Sequence, residues 1–167
     1  MFRIPIALGL AACSTLAAAQ PYEHWSDNGA WQILVDPARG PACLAQKTFD
    51  DGTLVQLGAV PVQEGGFFAA YNPAWTDIKA GDEGTLTFDF GDARFAGEVV
   101  GQIHDGTPGG YAFFDNPAFL TEFAKRQEVT VSGEGGHRIR LDLTGTSKTI
   151  DAVLACQKAQ PAPHLAK

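Results

Sequence analysis

Turn-forming residues recur along this chain at intervals that leave room only for short segments between them. Asp36-Pro37-Ala38-Arg39-Gly40-Pro41, Asp50-Asp51-Gly52, Glu64-Gly65-Gly66, Asn72-Pro73, Gly91-Asp92 and Gly133-Glu134-Gly135-Gly136 each read as a break. Asp-Gly is a favoured hairpin dipeptide because its second residue adopts positive φ without cost. Several of the intervening segments alternate. In Thr85–Phe90, Leu86, Phe88 and Phe90 fall on one side and Thr85, Thr87 and Asp89 on the other. In His137–Leu143, Ile139, Leu141 and Leu143 oppose Arg138, Arg140 and Asp142. A period of two marks half-buried antiparallel strands. The fold class expected is mainly β, a β-rich α+β domain. It should be an antiparallel β-sandwich or partly closed barrel of about eight or nine strands.

Two short helices are expected in the C-terminal half. Asn116-Pro117 supplies an N-cap followed by a residue pre-organised for the first helical position. Phe119, Leu120 and Phe123 then share a face, with Glu122, Lys125 and Arg126 away from it. The second helix should be capped by Thr146 or Ser147 and bury Ile150, Val153 and Leu154, with Cys156 nearby. Asp105–Gly110 reads as a long flexible loop leading into a short strand at Tyr111–Phe114.

The N-terminus reads as an export signal over residues 1–19. Arg3 precedes the apolar Ile4–Ala12 stretch, and Ala17-Ala18-Ala19 before Gln20 matches a cleavage site. That stretch is shorter than the roughly 20 residues a membrane span needs, so no transmembrane segment is expected. Leu10-Ala11-Ala12-Cys13 also matches a lipoprotein box, with lipidation at Cys13 as the less favoured alternative. Residues 20–29 follow as an N-terminal arm, 30–157 as a single domain and 158–167 as a frayed tail. Cleavage after Ala19 leaves Cys43 and Cys156, an even count in an oxidising compartment, and hence an expected disulfide. A periplasmic or secreted location follows.

Charge narrows the partners. The formal net charge is −7 and the basic residues do not cluster, whereas nucleic-acid binding needs a basic face. No nucleic acid and no cofactor are expected. His24, His104, His137 and His164 are scattered, with His104 beside Asp105 the least poor catalytic candidate. Ser147 lacks the glycines of a nucleophile elbow. Asp50-Asp51-Gly52 and Asp89 with Asp92 lack the loop and closing Glu of a calcium site. No catalytic or metal-binding set is assigned. The adjacent aromatic pairs Phe67-Phe68 and Phe113-Phe114 are more informative, because strand neighbours face opposite sides. One ring of each pair should point outward unless covered. Phe67, Phe68, Tyr71, Trp75, Phe113 and Phe114 therefore form a candidate binding patch for a protein or envelope ligand.

A set of short matches spans most of the chain after the export signal. Trp31, Cys43, Asn72-Pro73-Ala74-Trp75, Lys79-Ala80-Gly81-Asp82, Phe119-Leu120 with Phe123, and Leu141–Ser147 running to Cys156 resemble small exported alphaproteobacterial proteins of the invasion-associated locus B family. The resemblance implies a periplasmic or surface protein, sometimes tied to host-cell entry, without enzyme activity. The functional expectation is a non-catalytic binding or interaction protein. An inhibitor of an envelope-targeting enzyme is a narrower version, and a small periplasmic hydrolase is the alternative.

Overall fold

The computed structural model describes residues 21–61, 65–116 and 118–161. The export signal, Cys13, Glu64, the helix-opening Pro117 and residues 162–167 of the tail lie outside the described residues. Ten antiparallel strands form one open sheet: β1 (Glu23–Asn28), β2 (Trp31–Asp36), β3 (Ala42–Thr48), β4 (Leu54–Ala59), β5 (Gly66–Tyr71), β6 (Glu83–Asp89), β7 (Arg94–His104), β8 (Thr107–Phe114), β9 (Glu128–Gly133) and β10 (Arg138–Asp142). Two helices, α1 (Ala118–Lys125) and α2 (Thr146–Ala159), complete the domain. The spatial order is β1-β2-β3-β4-β5-β8-β7-β6-β9-β10. The first five strands thus meander. The loop after β5 crosses to β6, and β7 and β8 walk back to pair with β5. Helix α1 then carries the chain from β8 over to β9, on the far side of β6.

The fold is β-rich α+β, with its sheet curled so that one core joins distant strands. Val35 of β2, Phe68 of β5, Phe88 of β6 and Leu141 of β10 belong to a single buried cluster with Phe119 and Phe123 of α1 and Val153 of α2. Phe88 lies at its centre, edge-on to Phe68 at 5.0 Å and to Phe114 and Phe119 at 5.2 Å. Edge-to-face pairs of this kind add about 0.5–1.5 kcal/mol each beyond area burial. The alternation read in β6 and β10 is observed: Phe88, Ile139 and Leu141 are buried on the core side. Among the described residues the sheet does not close by strand pairing. Instead α2 spans the gap, packing on β1, β2, β3 and β4 after leaving β10. Asn28 on edge strand β1 donates to Gly145 O at 3.3 Å and Thr149 Oγ1 at 2.7 Å. Cys43 of β3 and Cys156 of α2 form a disulfide with their Cα atoms 6.0 Å apart.

Four expectations are corrected. Residues 23–28, read within an N-terminal arm, are strand β1, paired with β2 from Glu23↔Val35 to Asn28↔Trp31. The long loop at 105–110 shrinks to a turn at Asp105-Gly106, because Thr107–Phe114 is one continuous strand. Neither Thr146 nor Ser147 caps α2; Gly145, at φ 84°, holds that position with no side-chain cap. Leu154, placed on the buried face of α2, is 48% exposed, and Thr146, Thr149, Ile150, Val153 and Cys156 are the buried residues. The cap of α1 is as expected: Asn116 Oδ1 accepts from Ala118 N at 2.9 Å.

Candidate functional site

The crossover from β5 to β6 builds one wall of a cavity. Asn72 anchors its start. The Asn72 amide nitrogen donates to Thr53 Oγ1 at 2.9 Å, and Asn72 Oδ1 accepts from Ala74 N at 2.8 Å. The far end is pinned to β7, with Gly81 N donating to Gly101 O at 2.8 Å and Gly101 N to Asp82 O at 2.6 Å. A Cβ on Gly101 would run into the Lys79 carbonyl, so only glycine admits this close approach. Between these anchors the loop holds half-buried Trp75 and Ile78 over the sheet.

Beneath them is a cavity of about 240 Å³. Phe68, Leu86, Val99, Val131 and Ile139, from five different strands, supply its apolar interior. Asp77, Asp82, Glu83, Glu134, His137 and Arg138 also belong to its lining, with Glu83 and Arg138 at register positions whose side chains fall on the other face of the sheet. His137 Nε2 lies 2.9 and 3.0 Å from the two Asp77 carboxyl oxygens. That hydrogen bond holds the Asp77 carboxyl below its ordinary range. His137 also sits against Trp75, ring centroids 5.4 Å apart. Glu134 Oε2 accepts from Thr85 N at 3.1 Å, fixing the β9–β10 turn against β6. Among the described residues of the lining, Thr85 is the one that bears a hydroxyl.

The outer face of the sheet carries a second cluster. Leu34, Leu44 and Phe67 are buried there, with Tyr22, Val60 and Tyr111 packed on them. The three tyrosines of the chain, Tyr22, Tyr71 and Tyr111, all belong to this face. Phe67 stacks on Tyr111 at 5.2 Å, and the Arg39 guanidinium lies 4.8 Å above the Tyr111 ring. His104 stacks on Tyr71 at 4.9 Å and on Tyr22 at 6.0 Å. The Tyr71 hydroxyl donates to Gln102 Oε1 at 3.2 Å. Burial raises all three phenols, that of Tyr71 to about 12.

The candidate aromatic patch is therefore divided by the structure. Phe68 and Trp75 reach the cavity. Phe114 lies in the core, stacked on Phe119 at 3.8 Å. Phe67 and Tyr71 are on the outer face but buried, and Phe113 is half-buried. The alternation argument placed Phe67 on the outer face, yet Arg39 and Tyr111 cover it. His104, the least poor catalytic candidate, is 3.8 Å from Asp105 and lies away from the cavity lining. The His–carboxylate pair at the cavity is His137–Asp77, brought together from positions 60 apart in sequence. Nothing in either local sequence signals that pairing.

Among the described residues, no group of three or more His, Cys, Asp or Glu side chains could hold a metal ion, and no helix is long and apolar enough to cross a membrane. No protein-family model matches the sequence, and no curated protein matches it. Among solved structures, the chain is similar to the crystal structure of invasion associated protein B from Bartonella henselae. The TM-score is 0.56 at 11% identity, over 83% of this chain and 99% of that one. The likeness is one of fold, and it agrees with the loose resemblance read from the sequence.

Proposed function

We propose that the chain is an exported, non-catalytic binding protein of the bacterial envelope, and that its ligand enters the cavity under the β5–β6 crossover. The cavity itself carries this reading: a concave, mostly apolar site with a few convergent polar groups is the usual form of a ligand pocket. Its lining offers His137 and Asp77 as a base and its orienting group, and among the described residues its one hydroxyl-bearing residue, Thr85, sits at a register position on the other face of the sheet. A hydrolase needs a nucleophile or activated water within hydrogen-bond reach of its base. Export rests on the sequence signal and agrees with the Cys43–Cys156 bond. An inhibitor of an envelope-targeting enzyme is the narrower form of the same reading.

Native mass spectrometry after incubation in envelope extract tests it. The expected result is a bound mass on the processed protein that disappears in Val99→Trp, which fills the cavity. Equal retention by the variant overturns the cavity as the site. Ester or glycoside turnover that His137→Ala abolishes overturns the non-catalytic reading.

A further inference from the structure

We propose that the cavity takes a small free organic cation, an aryl- or alkylammonium whose apolar body enters and whose charged head stays at the rim. The proposal rests on the reading of this cavity as a binding site and names its ligand class. Size is the first argument. An apolar cavity of about 150 Å³ accommodates benzene, so about 240 Å³ takes one ring with a short linker. The body would lie on Phe68, Leu86, Val99 and Ile139, which present no charge.

Charge complementarity is the second argument. Asp77, Asp82 and Glu134 line the cavity against the imidazole of His137, while Glu83 and Arg138, opposite Val100 and Ser132 in register, fall on the other face of the sheet. The existing bonds leave acceptor capacity. Asp82 Oδ2 accepts from Lys79 N at 2.8 Å, and Glu134 Oε2 from Thr85 N at 3.1 Å. A carboxylate has about four lone-pair sites, so each retains acceptors for an ammonium. Asp77 is engaged by His137 through both oxygens. Arg138, the group that would favour an anion, has its Nε turned to Ser132 Oγ at 3.2 Å. Trp75, half-buried in the same wall, adds an aromatic face of the kind that attracts cations. An anionic ligand would meet like charge around the rim, and a neutral one would leave the carboxylates unused.

The test compares three ligands of one shape, phenethylammonium, phenethyl alcohol and phenylacetate. Each is titrated into the processed full-length protein at low ionic strength, by calorimetry and by amide chemical shifts. The expected order of affinity is ammonium, alcohol, carboxylate, with shifts at Trp75, Leu86, Val99 and Ile139. Glu134→Gln should weaken the ammonium by roughly two- to fivefold, the range of an exposed charge contact, and narrow its lead over the alcohol. Added salt should do the same. Equal binding of all three ligands overturns the cation assignment while leaving the cavity a binding site. Failure of all three to shift the lining residues overturns the assignment and the cavity reading together.

Discussion

Glycine 58 shows how closely the outer face is built. It sits on β4 opposite Leu44 of β3 and Phe67 of β5. A Cβ there would come within 2.6 Å of the Cys43 carbonyl oxygen and 2.8 Å of a Phe67 ring carbon. The absent side chain is what lets the Phe67 ring lie across the strand. Overpacking of this kind costs about 1–3 kcal/mol. Gly58→Ala should therefore lower the denaturation midpoint by an amount in that range, measured by urea unfolding. A wild-type midpoint would show that the two strands part without cost. Tyr71 supplies a second test. Its hydroxyl is buried and its pKa is raised from 10.0 to about 12, so the unfolded chain loses this proton before the folded one does. By linkage, the stability that Tyr71 contributes is fully present below pH 10 and is lost as pH rises towards about 12. Tyr71→Phe should flatten the fall in melting temperature across that window. A slope equal to wild type would place the alkaline transition elsewhere.

At the scale of elements, period and turn chemistry made most of the sheet legible. Strand β10 buries Ile139 and Leu141 and exposes the residues between, and β6 packs Leu86 and Phe88 on the core, so their alternation could be read directly. Strand β1 could not be found that way. Its residues, EHWSDN, are all exposed or half-buried, because it lies at the edge of the sheet and faces solvent. The start of β8 was hidden by composition. Thr107-Pro108-Gly109-Gly110 looks like a loop, but those glycines serve close packing: a Cβ on Gly109 would strike the Ala70 carbonyl, and one on Gly110 would sit 2.7 Å from a Val99 methyl. The cavity was illegible for a different reason. Its walls come from the 72–82 crossover and from strands β5 to β10, segments far apart in sequence whose order in the sheet no local pattern announces. The start of α1, in contrast, was written locally. Asn116→Ala removes the acceptor for Ala118 N and should cost about 1 kcal/mol. Thermal unfolding checks this, and an unchanged midpoint would mean that water replaces the cap without loss.

For the whole molecule, the decisive element is α2. It leaves β10, packs across β1 to β4, and so joins the two edges of a sheet that never pair directly. Two ties hold it there: Asn28 near its start and Cys43–Cys156 near its end. Gln157 adds a third, accepting from Cys43 N at 2.9 Å and donating to Pro41 O at 3.1 Å. The sequence placed the bond between an early strand and the last helix. The structure adds that the link fastens the helix closing the sheet. The bond spans 113 residues, and for a loop of that order the chain-entropy model gives roughly 4–5 kcal/mol. Such a loss is comparable with the whole stability of a small domain, about 5–15 kcal/mol. Reduction should therefore lower the melting temperature markedly. The pattern of hydrogen exchange should identify the route: amides of α2, β1 and β3 should gain exchange together, while those of β6 and β7 keep their protection until global unfolding. The Cys43→Ala/Cys156→Ala double variant should reproduce the reduced protein. If reduction leaves both the melting temperature and the protection of α2 unchanged, the helix is held by its packing alone and the sheet is closed without the disulfide.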